Sequence, residues 1–186
     1  MTTVPAAPRI APADTDADPP PLNIFRTLSR NRDLYKGFLG LGTHLLRGDT
    51  LPAREREIVI LRAGWRCGSE YEFGQHTAIG QLVGMAEAEI AALADAAEFA
   101  WSGEDRALIA MVDELCADDI VSDETWSALA GRWSDEQLLE LLVLAGYYRL
   151  VSGFLNSVGV ALEAQTPGWP EGASPRRSAP RVGGAQ

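Results

Sequence analysis

Two histidines occur in the chain, His44 and His76. His76 follows Glu72 by four residues, and a helix places such a pair on one face within side-chain reach. A carboxylate beside an imidazole favours the imidazolium and settles which ring nitrogen holds the proton. The result is a general acid or base that works near neutral pH. Glu57 lies on the preceding segment, and the turn Cys67-Gly68-Ser69 would fold that segment back so that Glu57 faces the same space. Plainer roles stand beside this one. Glu72 can complete a capping box with Ser69. Glu55 and Glu57, alternating with Arg54 and Arg56, make an ordinary solvated helix start at the positive end of the dipole. His44 has no such companion and is the weaker candidate.

The elements that must position these groups are helical. Prolines collect at the two ends, leaving only Pro52 between residues 22 and 166, and that middle is rich in Ala, Leu, Glu and Arg without sustained period-2 alternation. The expectation is an all-α bundle with helices at 23–47, 53–66, 70–83, 87–99, 103–117, 122–132 and 135–163. Pro52 at a first turn, Ser69 three before Glu72 and Ser134 three before Gln137 mark helix starts. In the last helix Leu144, Tyr148, Val151 and Leu155 form one stripe and Tyr147, Phe154 and Val158 a second beside it, a face wide enough for the bundle centre or a subunit contact. Residues 1–21 and 167–186, rich in Pro, Ala and Gly, bury too little to offset their ordering entropy and are expected to be disordered tails around a 22–166 domain.

The 186 residues carry a formal charge of −10, a field that repels a phosphate backbone, so nucleic acid is not an expected partner. Two cysteines, Cys67 and Cys116, make neither a disulfide framework nor a zinc site. No basic segment joined to an apolar run opens the chain, so the expected location is cytoplasmic. The most apolar window, Leu138 to Val151, contains Glu140 and Arg149 and falls short of the roughly 20 residues a membrane span requires.

The run Arg56-Glu57-Ile58-Val59-Ile60-Leu61-Arg62, continuing through Trp65-Arg66-Cys67-Gly68-Ser69-Glu70-Tyr71-Glu72-Phe73-Gly74-Gln75-His76, resembles the carboxymuconolactone decarboxylase family. The closing stretch from Gly146-Tyr147-Tyr148-Arg149 to Phe154-Leu155-Asn156 resembles that family's last helix, so the likeness spans most of residues 22–163. It implies an alkylhydroperoxidase D-like helical bundle, assembled as a homo-oligomer, trimer or hexamer, with an active site near subunit contacts. In the peroxidase branch a glutamate precedes Cys-x-x-Cys-x-x-x-His. Aligned on Glu57 and His76, this chain has Ser69 and Glu72 where the thiols would stand, and Cys67 falls two residues early. Without a vicinal dithiol the usual resolving thiol is missing. Glu72-Phe73-Gly74-Gln75-His76 instead resembles the decarboxylase branch.

The activity implied is a decarboxylase that needs no cofactor, acting on a small carboxylated lactone or β-keto-acid-like, ring-derived substrate that holds its own electron pair. His76 would deliver the proton, Glu72 orient and charge it, and Glu57 serve as a second acid or base. Arg62 is a candidate anchor for the substrate carboxylate, with an internal salt bridge as the competing role. Trp65, Cys67 and Tyr71 are candidate binding residues, and like Phe73 they serve equally as core. Three other readings stay open: a thiol peroxidase using Cys67 with Cys116, a metal enzyme built on Glu57, Glu72, His76 and His44, and a helical scaffold without catalysis; the resemblance also admits another lyase, isomerase or oxidative step in secondary metabolism.

Overall fold

Nine successive residues of one helix, Glu57 to Trp65, are buried. A helix that has lost its polar face is surrounded on all sides, and this one packs against four others. The computed structural model describes residues 3–18 and 21–173. Among them the chain is all-α: α1 (Asn23–Leu28), α2 (Arg32–Arg47), α3 (Ala53–Arg66), α4 (Glu70–Leu82), α5 (Glu87–Leu93), α6 (Gly103–Asp118), α7 (Asp123–Ala130) and α8 (Asp135–Val158). Around α3 stand α4, α5, α6 and α8, with α1 and α2 laid over the α4/α8 side. Ile58, Ile60, Leu61, Phe73, Leu108, Met111, Leu141 and Leu144 fill the centre, each fully buried.

Side-chain caps account for half of the helix starts among the described residues. Ser102 accepts from Asp105 N, Ser122 from Thr125 N, and Ser134 from Gln137 N, with Gln137 returning the bond to Ser134 N at 3.1 Å. The expected Ser69/Glu72 box does not form. Ser69 takes the N-cap position of α4 without a cap bond and its hydroxyl is buried without a partner, because Glu72 turns inward toward His76.

Three expected helices are shorter or divided. The 23–47 segment breaks where the Asn31 side chain accepts from Leu34 N at 3.1 Å and starts α2 afresh. The 87–99 segment ends at Leu93 because Asp95, at φ 52°, gives its carboxylate to Arg62 and Trp65. The last helix stops at Val158, where Gly159 enters the left-handed region at φ 73°, which a side chain would disfavour. By length and composition α8 could cross a bilayer, contrary to the expectation from its apolar window. In the fold one side of it is core and the other exposes Leu139, Val143 and Leu150.

The terminal segments make contacts with the bundle. Arg9 N donates to Val158 O at 2.7 Å, and Arg26 Nε to Ala13 O at 2.9 Å. After α8, Glu163 accepts from the Tyr71 hydroxyl at 2.8 Å and from Gln75. The Trp169 ring then packs edge-on to Trp65 at 5.3 Å and tilted against Phe73 at 5.1 Å. Aromatic burial of this kind offsets the ordering of the strap across α4. The expected C-terminal tail beyond residue 173 lies outside the described residues.

Candidate functional site

A charged group on a helix buried all round must find a partner inside the protein. The buried stretch of α3 carries two, Glu57 and Arg62, and their five-residue separation turns them about 140° apart. Glu57 therefore faces α4 and Arg62 faces α5 and α6. The α3–α4 turn reverses at Gly68, at φ 61°, which returns the chain so that the far half of α4 lies against the near half of α3.

There Glu57 Oε2 stands 2.6 Å from His76 Nδ1, and Glu72 Oε2 stands 3.6 Å from His76 Nε2. Exposure is 1% for Glu57 and 5% for both Glu72 and His76. Tyr148 of α8 sets its ring edge-on to the imidazole at 5.0 Å. Sequence reasoning thus anticipated the convergence of the three residues but exchanged the glutamates. Glu57 holds the ring nitrogen, while Glu72 stands beside the nitrogen that remains.

Burial pushes the Glu72 carboxyl up to about 7, the neighbouring Glu57 charge adds to this, and His76 pulls the other way. Burial opposes the imidazolium of His76, but the charge and hydrogen bond of Glu57, helped by Glu72, outweigh it and raise the group above its ordinary 6.5. The site thus favours the imidazolium more than water does and has a carboxyl beside it that titrates near 7.

Glu72 and His76 form part of the wall of a cavity of about 340 Å³ enclosed by α1, α2, α4 and α8. Phe38, Leu39, Leu46, Ile79, Tyr147 and Val151 make most of the remaining wall apolar. Glu57 lies behind His76, off the wall. Arg47, at the exposed end of α2, also contributes to the lining and pairs with no carboxylate among the described residues.

Of the other anticipated binding residues only Tyr71 reaches the cavity. Arg62 lies off the cavity and makes the internal salt bridge that was its competing role: it grips Asp113 through two bonds of 2.7 Å, Asp95 at 2.8 Å and Leu93 O at 2.9 Å. Trp65 donates to Asp95 at 2.8 Å and lies away from the cavity. Tyr71 lines the cavity, but its hydroxyl is committed to Glu163 and to Ile24 N. Cys67 caps α3 outside the cavity. His44 is on the surface, 3.6 Å from Glu140. Among the described residues no group of three His, Cys, Asp or Glu is arranged to hold a metal ion.

What sequence reasoning missed is the wall from α1 and α2, with Arg47, and the contribution of Tyr148. The apolar residues of α2 were a visible signal, because the start of the 23–47 segment alone cannot cover them.

Residues 32–114 match the family model "Carboxymuconolactone decarboxylase family". No curated protein matches the chain significantly. The fold is similar to that of the debrominase Bmp8, solved as a cysteine-to-alanine variant in complex with 2,3,4-tribromopyrrole: TM-score 0.72 at 16% identity, covering 86% of this chain and 94% of that one. It is also similar to a protein of unknown function from Agrobacterium tumefaciens, suggested to be the antioxidant defence protein AhpD: TM-score 0.68, 17% identity, 74% of this chain and 96% of that one. An uncharacterized peroxidase-related protein with an alkylhydroperoxidase AhpD core, from Ralstonia eutropha JMP134, has TM-score 0.68 at 20% identity, with 76% of each chain covered.

Proposed function

Because residues 32–114 carry the carboxymuconolactone decarboxylase family pattern and the bundle has the AhpD-like fold, we propose that the Glu57, His76 and Glu72 cavity is the active site of a carboxy-lyase that needs no cofactor. Its substrate is a small ring-derived acid of the β-keto or carboxylated lactone class. The observation that carries this reading is the imidazole locked by Glu57 through Nδ1, with Nε2 beside Glu72 at the edge of an apolar cavity.

The apolar wall strips water from the substrate carboxylate, and the bond from that carbon to the ring breaks. Its electron pair moves into the adjacent carbonyl as an enolate, and carbon dioxide leaves. His76 Nε2–H then gives its proton to the carbon, and Glu72, titrating near pH 7, restores the proton from solvent. Glu57 is the positioning residue that keeps Nδ1 protonated and the ring fixed. Arg47, without a carboxylate partner among the described residues, replaces Arg62 as the anchor for a carboxylate at the cavity mouth. The exposed Leu139, Val143 and Leu150 on α8 support assembly as a homo-oligomer, trimer or hexamer.

The test is incubation of the purified protein with a panel of β-keto and carboxylated lactone acids in deuterated water, with carbon dioxide release and deuterium at the product carbon as readouts. His76→Gln should abolish both. Release undiminished in His76→Gln, or none with any acid of the class, would overturn the assignment.

A further inference from the structure

Three tyrosines line the cavity, Tyr71, Tyr147 and Tyr148. A phenol taken out of water needs an acceptor for its proton, and two of the three have one inside the protein. Tyr71 donates to Glu163 at 2.8 Å. Tyr147 donates to Phe38 O at 3.1 Å, which ties α8 to α2. Tyr148 is 3% exposed, yet among the described residues its hydroxyl makes no hydrogen bond. Protein does not seal that oxygen off either, so the little surface the side chain keeps belongs to the cavity that it lines.

The ring is held beside the acid-base pair. It stands edge-on to the His76 imidazole at 5.0 Å and to the Tyr147 ring at 5.6 Å. Burial keeps the phenol protonated well above its ordinary 10, with the charges of Glu72 and Glu57 and the nearness of Tyr147 adding to it and Arg56 opposing. Tyr148 is therefore a donor across the neutral range and too weak an acid to compete with His76 in giving a proton away.

We propose that the Tyr148 hydroxyl is a catalytic donor that binds the substrate's carbonyl oxygen and tightens its hold as that oxygen takes on enolate charge. This rests on the acid-base reading of the cavity and adds the group that stabilises the electron pair. As the bond to the carboxylate carbon breaks, its pair forms the carbon–carbon double bond of the enolate. The carbonyl π pair moves onto the oxygen, which accepts from Tyr148. No proton leaves Tyr148. His76 Nε2–H protonates the carbon, the carbonyl reforms, and the hydrogen bond relaxes to that of a neutral acceptor. His76 thus serves the carbon and Tyr148 the oxygen next to it, so the substrate must carry its carbonyl directly beside the carbon that bears the carboxylate.

Tyr148→Phe removes one oxygen and keeps the ring against His76. In carbon dioxide release kcat should fall about 100-fold with KM little changed. The pH at which activity titrates with His76 should stay in place, because the imidazole keeps Glu57. A second readout needs no carboxylate. A β,γ-unsaturated butenolide in deuterated water yields the proton beside its carbonyl to neutral His76, forms the same kind of enolate and regains a deuteron, which mass spectrometry counts. This exchange should also slow about 100-fold in Tyr148→Phe. The midpoint of thermal unfolding should not fall, since the lost hydroxyl had no partner in the protein.

Exchange that depends on Tyr148, with no carbon dioxide from any acid tried, would overturn the carboxy-lyase assignment and uphold Tyr148 as the enolate donor. No exchange by the wild-type chain, or a Tyr148→Phe variant as fast as wild type in either readout, would overturn the proposal. So would a displaced titration of His76 in that variant, which would mean that Tyr148 acts through the imidazole, or a lowered unfolding midpoint, which would mean that the hydroxyl is structural.

Discussion

His76 Nδ1 and Glu57 Oε2 meet at 2.6 Å across the interface of α4 and α3, both almost without solvent exposure. The contact sets the tautomer and the charge of the one imidazole on the cavity wall. Glu57→Gln keeps the shape and removes the charge. His76 should then lose its main support for the proton, its pKa should drop, and the alkaline limb of the rate profile should move to lower pH. We expect kcat to fall about 10–100-fold with KM little changed. Steady-state kinetics across pH check this, and an unmoved alkaline limb would show that Glu57 does not tune the imidazole.

Stability should fall as pH rises through neutrality. Glu72 has a folded pKa of about 7 against an ordinary 4.5, so the folded protein favours its neutral carboxyl. That contribution is complete below about 4.5 and is lost as pH rises through 7. His76, raised above 6.5, acts in the same direction, its contribution present below 6.5 and lost on passing its folded value. The lowered carboxyls of Asp95 and Asp105 act oppositely, but only on the acid side of their ordinary 3.8. From about pH 4.5 to 7, and on above 6.5 as His76 passes its folded value, the midpoint of thermal unfolding should therefore drop, by about 2–4 °C for each kcal/mol lost in a chain of this length. Glu72→Gln should flatten the slope, and a slope unchanged in that variant would locate the titration elsewhere.

Arg62→Met should cost stability and leave catalysis intact. The substitution keeps the apolar stem but strands Asp95 and Asp113. Because both acids have access to water, the cost falls at or below the low end for a broken buried pair, about 2–3 kcal/mol. Urea unfolding measures it. A large change in KM for a carboxylated substrate would instead return Arg62 to the binding role its spacing suggested.

Arg47→Ala should do the reverse. The side chain is exposed and unpaired at the cavity, so folding should be unaffected, while KM for an anionic substrate should rise about tenfold. An uncharged ester analogue should show no such rise. Equal effects on acid and ester would mean that Arg47 shapes the cavity without reading charge.

Much of this was legible in one dimension because the signals are local. Helical composition, the Ser134/Gln137 cap and the i, i+4 spacing of Glu72 and His76 each follow from a few neighbouring residues, and the sequence determined the all-α fold and two of the three groups at the site on that basis. Glu57 could be suspected only because a turn returns its helix, and Arg62 looked equally available because charge on a helix carries no label for the side on which it is buried. Only the tertiary structure decided that Glu57 turns to the imidazole and Arg62 to two aspartates, and that α2 and Arg47 close the cavity. The reason is physical. Helical periodicity orders side chains around a single axis, whereas partners across the bundle depend on how several axes pack together, a relation that no local stretch of chain contains.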